Sequence, residues 1–222
     1  MLYKEVRSLV YKEFLLEWRQ KYALNGILLY TVSSIFICYL SFNLKNTGLS
    51  ITTWNALFWI IILFTAVNAI AKSFIQESQN RQLYYYTIVS PEGIIISKIV
   101  YNTMLMLLLS TLAVLFFSLI FSFPINDYLL FGLDLFLGSI GISTALTMIS
   151  GIASKAGQNG ILMSILSFPV VIPIILVVLK ISKNAIDGID RSESSDEIVT
   201  LIAINAIVGA LAYILFPYLW RS

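Results

Sequence analysis

Asp134 is a carboxylate that lies within a long apolar stretch of the sequence. A charged side chain inside a lipid bilayer is costly, and such residues often mark ion or substrate pathways. The sequence places Asp134 one or two turns below a helix end, where it could also reach water or hydrogen bond to a neighbouring helix. Asp134 is therefore a candidate intramembrane acid, with a structural and a functional role both open.

The residue types that are missing exclude several kinds of chemistry. The sequence contains no histidine, which excludes a Ser-His-Asp triad, a histidine metal site and a histidine-ligated haem within this chain. Cys38 is the single cysteine, so no internal disulfide can form. No P-loop motif for nucleotide phosphates occurs. We expect neither a metal site nor a catalytic centre in this chain.

The composition indicates which kind of secondary structure must position Asp134. Of the 222 residues, 59% are hydrophobic and 12% are charged, and the mean hydropathy is +0.88. A soluble domain has about twice that share of charge, and a disordered chain has far less hydrophobicity. The sequence therefore predicts one all-α integral membrane domain over residues 1–222. Six apolar runs are long enough to span a membrane: about 24–44, 54–70, 99–123, 129–153, 161–179 and 198–218.

The distribution of basic residues predicts an orientation for these spans. Ten of the 14 Lys and Arg residues fall in the N-terminal stretch, the loops after spans two and four, and the C-terminal tail. The other four lie on the opposite side, where an acidic loop precedes span six. The positive-inside rule therefore predicts that both termini face the cytoplasm.

Residues 1–22 have the pattern of an amphipathic helix. Apolar side chains recur every three or four residues, and most charged side chains fall between them. Such a helix would lie in the membrane interface, either as a simple flank of span one or as an elbow helix that docks against the bundle. The residues of the stripe are Tyr3, Val6, Val10, Phe14 and Trp18.

The loop between spans two and three is too long for a simple connection in a compact bundle. It is polar in its first half and aromatic in its second half, and it reaches Pro91 and Gly93, which end a helix. We expect a short cytoplasmic helix over about 81–90, with Glu77 and Arg81 paired on one face. Its apolar side chains would contact a protein partner or lie at the membrane interface: Leu83, Tyr84, Tyr85, Tyr86 and Ile88.

Two spans carry residues that shape helix packing. Gly141 and Ala145 in span four have the spacing that lets helix backbones approach closely, and Gly138 belongs to the same small face. This face would pack within the bundle or across a dimer. In span five, Pro169 and Pro173 predict a kink or a broken segment, which could act as a hinge.

The order of these elements resembles the membrane subunit of type-2 ABC exporters, and within that class the haem exporter protein B (CcmB) family. Leu133–Gly138 is similar to the family's Leu-x-Leu-Leu-Leu-Gly, and Ile161–Pro173 to its double-proline motif Leu-Leu-Ser-Ile-Leu-x-x-Pro-x-x-Ile-Pro. The segment from Phe74 through Glu77 and Arg81 to Lys98 is similar to its coupling segment. That segment departs from the family at Asn80 and at the three tyrosines, and Asp134 has no counterpart in the family pattern.

The resemblance implies a multi-pass permease subunit of the bacterial cytoplasmic (inner) membrane that acts in cytochrome c maturation. Its implied partners are an ABC ATPase subunit that holds the ATP, a second copy of the chain, a haem-handling membrane protein, a small single-span subunit and a periplasmic haem chaperone. This chain would contact the lipid bilayer and would bind no cofactor and no nucleic acid by itself, whereas the complex would handle haem. ATP hydrolysis would drive haem export or the release of the loaded chaperone.

Three alternatives remain at this stage. A permease of the same fold could carry another cargo, such as a lipid or a polysaccharide. A membrane enzyme could use Asp134 or the outer acidic loop, although no acid-base or metal constellation is clustered in the sequence. A secondary transporter would need more intramembrane charge than Asp134 alone to couple ions.

Overall fold

The chain folds into a bundle of α-helices in a computed structural model. The structure describes residues 2–19, 21–43, 50–70, 73–74, 89–121, 124–155 and 159–221. These ranges contain helices, short turns and no β-strand. The helices are α1 (Leu2–Arg19), α2 (Lys21–Asn43), α3 (Ile51–Ile70), α4 (Pro91–Ile120), α5 (Tyr128–Lys155), α6 (Asn159–Asp187) and α7 (Ser195–Arg221), with a 3₁₀ turn over Arg191–Ser194.

Six of these helices, α2 to α7, are long and apolar enough to cross a membrane. The prediction of an all-α protein with six membrane-spanning helices is thus confirmed. Successive long helices run in opposite directions, so the bundle has two ends. We call the elbow end the one that holds α1, residues 73–74, the start of α4 and the last turns of α7. The far end holds residues 124–127 and 188–194.

Helix α5 lies at the centre of the bundle and packs against α3, α4, α6 and α7. Aromatic side chains fill the space between α3, α4 and α5: the rings of Trp54 and Phe58 stack 5.4 Å apart, and Phe117 meets both at its edge. Helix α2 lies at the margin, where Thr31 Oγ1 hydrogen bonds to Thr65 Oγ1 of α3 at 3.0 Å.

The first turn of α4 corrects one prediction. Pro91 and Gly93 do not form a turn that precedes the third span, because α4 begins at Pro91 itself, eight residues before the predicted start at 99. Ser90 has an extended backbone and its hydroxyl accepts from Gly93 N, which makes it the N-cap of α4. Proline suits the next position because a helix leaves the first N–H groups unbonded.

Helix α6 also extends beyond the predicted span, which ended at residue 179. Buried Val178, Ile181 and Ala185 continue its apolar stripe at helical spacing, so the helix reaches Asp187. Gly188, with a φ of +70°, then reverses the chain. Much of the acidic loop before span six, residues 182–197, whose structure the sequence left open, is thus helical.

The two prolines of this helix do not divide it. Pro169 and Pro173 both lie inside α6, which is continuous from Asn159 to Asp187. The predicted broken segment is therefore wrong, whereas the hinge stays a prediction. Neighbouring helices can satisfy the backbone carbonyls that a proline leaves free in a membrane helix.

Candidate functional site

The start of α4 is held by an acidic residue of α1. Glu5 Oε1 accepts hydrogen bonds from Ser90 N at 2.6 Å and from Ser90 Oγ at 3.0 Å. A carboxylate at this position is also favoured by the positive end of the α4 dipole. Gly93 permits the close approach, since a Cβ there would lie 2.9 Å from Glu5 Oε1. Residue 90 is thus tied to α1 by a charge-assisted cap.

The turn at residues 73–74, which follows α3, is held by a buried lysine. Lys98 of α4 is 1% exposed, and its Nζ donates to Ser73 O and lies 3.3 Å from Glu13 Oε1 of α1. The same ammonium lies 4.8 Å from the centre of the Phe74 ring, a cation–π distance. A buried charge is stable only when it is paired and hydrogen bonded in this way.

Asn102 extends this polar cluster to the centre of the bundle. It lies one turn after Lys98 in α4, and its Nδ2 donates to Ser73 Oγ at 3.1 Å and to Thr147 Oγ1 at 2.8 Å. Asn102 is 1% exposed, so these hydrogen bonds form away from solvent. The cluster therefore joins α1, residue 73, α4 and α5.

An apolar cluster surrounds the polar one at the same end. The ring of Phe74 lies 5.4 Å from that of Phe216 in α7, and Phe216 stacks on Trp220 at 5.6 Å. A Cβ at Gly151 of α5 would lie 3.2 Å from the Phe216 ring, so α5 and α7 are close here. The members are Phe74, Ile94, Ile95, Ala212, Phe216 and Trp220.

These contacts place the two ends of one chain segment on the same helix. We call residues 75–88 the coupling segment. Glu13, through Lys98, holds residue 73 before it, and Glu5 holds residue 90 after it. The two acids lie eight residues apart on α1, or about 12 Å along the helix axis. Residues 73 and 90 are therefore both connected to α1 and α4.

Most of the coupling residues predicted from the sequence lie outside the described residues. Pro91 is described, and it is the first residue of α4 rather than the end of a helix. The others are Glu77, Arg81, Leu83, Tyr84, Tyr85, Tyr86 and Ile88.

The predicted apolar stripe of α1 is divided between two surroundings. The ring of Phe14 meets that of Tyr101 edge-on at 5.2 Å, and Val6 and Val10 are half-buried. Tyr3 and Trp18 are 78% and 75% exposed within the chain. The helix docks against α4, while these two aromatic side chains point away from the bundle.

Sequence reasoning missed the residues that fasten α1 to α4. Lys98 was counted among the loop residues, because the third span was placed one residue later. Two signals were present in the sequence: a lysine followed directly by an apolar run, and three acids, at positions 5, 13 and 17, in a helix with four basic residues. The missed residues are Glu5, Glu13, Ser73, Lys98 and Asn102.

The small residues predicted for span four lie against bulky side chains. A Cβ at Gly138 would lie 2.9 Å from the Trp59 ring of α3, and one at Gly141 would collide with Asn205 Oδ1 of α7. Ala145 is fully buried. This face of α5 therefore packs against other helices of the same chain. The alternative of packing across a dimer stays a prediction.

The far end is organised differently. Asp127 Oδ1 accepts from Leu129 N and Leu130 N at 3.0 Å, which caps α5, and both carboxylate oxygens accept from Arg191 at 2.6 and 2.9 Å. Hydrogen bonding from Arg191 lowers the pKa of Asp127 to about 2. This ion pair is exposed and open to solvent, and it joins two short turns.

Comparison with known proteins identifies the family of the chain. A family model described as CcmB protein matches residues 4–217, from the first turn of α1 to the last turns of α7. No curated protein matches the chain. The matched range includes the six long helices and both sides of the coupling segment. The chain therefore belongs to the CcmB family, whose members are membrane permease subunits of the haem-export ABC system for cytochrome c maturation.

Proposed function

We propose that the coupling segment is the docking surface for the partner ATPase, and that α1 passes its movement to the bundle. The observation that carries the proposal is the double attachment of α1, through Glu5 to residue 90 and through Glu13 and Lys98 to residue 73. The aromatic and charged residues at 77–88 supply the contact surface in this proposal, with Glu77 and Arg81 at its polar edge.

Movement of the coupling segment would act on two long helices at once. Residue 73 follows α3 and residue 90 precedes α4, and both helices pack against α5. Packed helices change between discrete arrangements more readily than they deform. We therefore expect α1 and the elbow-end turns of α3 and α4 to move as one unit against α5 and α6, where Pro169 and Pro173 would serve as the hinge.

The complete transporter would contain two copies of this chain and two ATPase subunits. The elbow end would face the cytoplasm, where the ATPase is found, with both termini on that side. ATP hydrolysis would drive the export of haem or the release of a haem-loaded periplasmic chaperone. Because the sequence contains no histidine, any histidine ligand to haem must come from another subunit, such as the haem-handling membrane protein.

Reversing the charges of the coupling segment tests the docking surface. We expect the double variant E77K/R81E to remain in the membrane but to lose its ATPase on purification, since the contact would become repulsive. The matched control is K183E, which reverses an exposed charge near the far end of α6. A double variant that still co-purifies with its ATPase at the wild-type ratio contradicts the proposal.

Haem staining after depletion of the chain tests whether the chain acts in cytochrome c maturation. Loss of the covalently haem-bearing bands, restored by the wild-type gene, is the expected result in the native host. Unchanged bands would contradict the assignment to cytochrome c maturation and would leave another cargo to be found.

A further inference from the structure

Asp134 lies at the meeting point of three helices. It is fully buried in α5, and its carboxyl contacts Ser182 of α6, whose hydroxyl also contacts Trp59 of α3. We call these three residues the Asp134 cluster. Among the described residues, Ser182 is the only hydrogen-bond partner of the carboxyl, and no cation pairs with it. The chemistry of the cluster therefore depends on one hydroxyl group.

The hydroxyl of Ser182 has three polar neighbours but a single hydrogen. Trp59 Nε1 lies at 2.7 Å and can only donate, whereas the carbonyl oxygen of Val178 lies at 2.7 Å and can only accept. Asp134 Oδ2 is the third neighbour. An ionised carboxylate is also only an acceptor, so Val178 O and Asp134 would compete for the one hydrogen.

A protonated carboxyl removes this conflict. Asp134 then donates to one lone pair of Ser182 Oγ, Trp59 donates to the other, and Ser182 donates to Val178 O. Every contact becomes a hydrogen bond. Burial favours the same state, because an ionised carboxylate without a cation is very costly in an apolar environment.

We propose that Asp134 is a neutral carboxylic acid that donates to Ser182 and positions α5 against α3 and α6. The cluster fixes their register beside the Trp59 ring, which packs against Gly138 one turn along α5: a Cβ there would lie 2.9 Å from the ring. Asp134 is thus a positioning residue rather than an ion-coupling acid. The inference stands independently of the docking function proposed for the coupling segment.

Infrared spectroscopy of the purified wild-type protein tests the protonation state directly. The chain has five aspartates, and the four besides Asp134 are not buried: Asp127, Asp187, Asp190 and Asp196. With carbon-13 in the aspartate side-chain carboxyls, we expect one isotope-shifted band of a protonated acid at neutral pH. The band should disappear in D134N and persist in D127N. Labelled aspartates that give only carboxylate bands would overturn the proposal.

Variants of Asp134 separate the neutral role from a charged one. D134N carries an amide that donates to Ser182 as the acid does, so we expect wild-type levels of the protein and of c-type cytochromes. D134L has no donor, so the Ser182 hydroxyl loses this partner. We expect D134L to reduce the levels of the protein and of c-type cytochromes. D134N protein that fails to accumulate, or that makes no more cytochrome than D134L, would contradict the proposal. The wild-type spectrum does not depend on either variant.

Discussion

The two ends of the bundle hold charge in opposite ways. At the elbow end, Lys98 is 1% exposed and joins three parts of the chain that are far apart in sequence. At the far end, the Asp127–Arg191 pair is exposed, and the turns are also fastened by hydrogen bonds from Asn126 N and Asp127 N to Ala185 O. The elbow end depends on a buried ion pair, whereas the far end depends largely on the backbone.

This difference indicates where movement can enter the molecule. At the far end, backbone hydrogen bonds and the Asp127–Arg191 pair join residues 126–127 to residues 185 and 191, and Asp127 also caps α5. The buried pair of the elbow end connects α1, α4 and residue 73, and none of these can move without the others or without loss of the pair. A buried, fully bonded network rigidifies the elements that it joins.

The largest effect is expected for K98M. It leaves the Ser73 carbonyl without its buried cation and leaves Glu13 with Lys12 alone, at 3.0 Å, and breaking a buried pair costs about 3 kcal/mol. The matched variant K183M removes an exposed lysine near the far end and should change stability by less than about 0.5 kcal/mol. Thermal unfolding of both in detergent measures the difference. Equal midpoints would show that the elbow pair contributes nothing.

Between the ends, two glycines of α5 should respond in opposite directions to the same substitution. A Cβ at Gly138 would lie 2.9 Å from the buried Trp59 ring, so G138A should destabilise by about 1–3 kcal/mol. Gly132 has no atom within 4 Å, and G132A should stabilise the helix by about 0.5–1 kcal/mol. Unfolding midpoints that move in the same direction would contradict the packing described for α5.

The cap of α4 should have an intermediate effect. E5A leaves Ser90 N without its acceptor, which costs about 1–3 kcal/mol, and S90A removes the N-cap at about 1 kcal/mol. Because both act on one contact, we expect the double variant to cost less than the sum. S8A, an exposed serine on α1, is the control. Additive effects in this cycle would show that Glu5 and Ser90 act independently.

The smallest effect is expected for the far-end pair, and it depends on pH. The lowered pKa of Asp127 means that the pair stabilises the fold above the ordinary aspartate value, and that this contribution disappears as the pH falls towards about 2. The unfolding midpoint of D127N should therefore approach that of the wild type in acid. A gap between the two proteins that stays constant with pH would contradict this assignment.

Hydropathy was sufficient to predict the six long helices, because each must satisfy its backbone within a membrane. The residues at which the helices begin and end were harder to predict. The Ser90–Pro91 pair has the pattern of a helix start, but it follows an aromatic run and was interpreted as a helix end. What fixes that start is Glu5, which lies 85 positions earlier in the chain, a distance that no local pattern reports.

The sequence placed Asp134 in the fourth span but left its surroundings open. Its neighbours Trp59 and Ser182 come from two other helices, and Ser182 belonged to a predicted loop. Helix α6 was longer than its most apolar part, so the partner of the acid was placed outside the bundle. The chemistry of a buried polar group depends on such distant contacts, which hydropathy does not report.

We expect the buried pair of the elbow end to carry movement from the coupling segment to the bundle. The most direct measurement is haem staining of c-type cytochromes made with K98M and with K183M, normalised to the transporter that carries bound ATPase. We predict that K98M retains its ATPase but loses most of the cytochrome bands, while K183M keeps them. Wild-type bands with K98M at equal amounts of complex would show that the buried pair does not carry this movement.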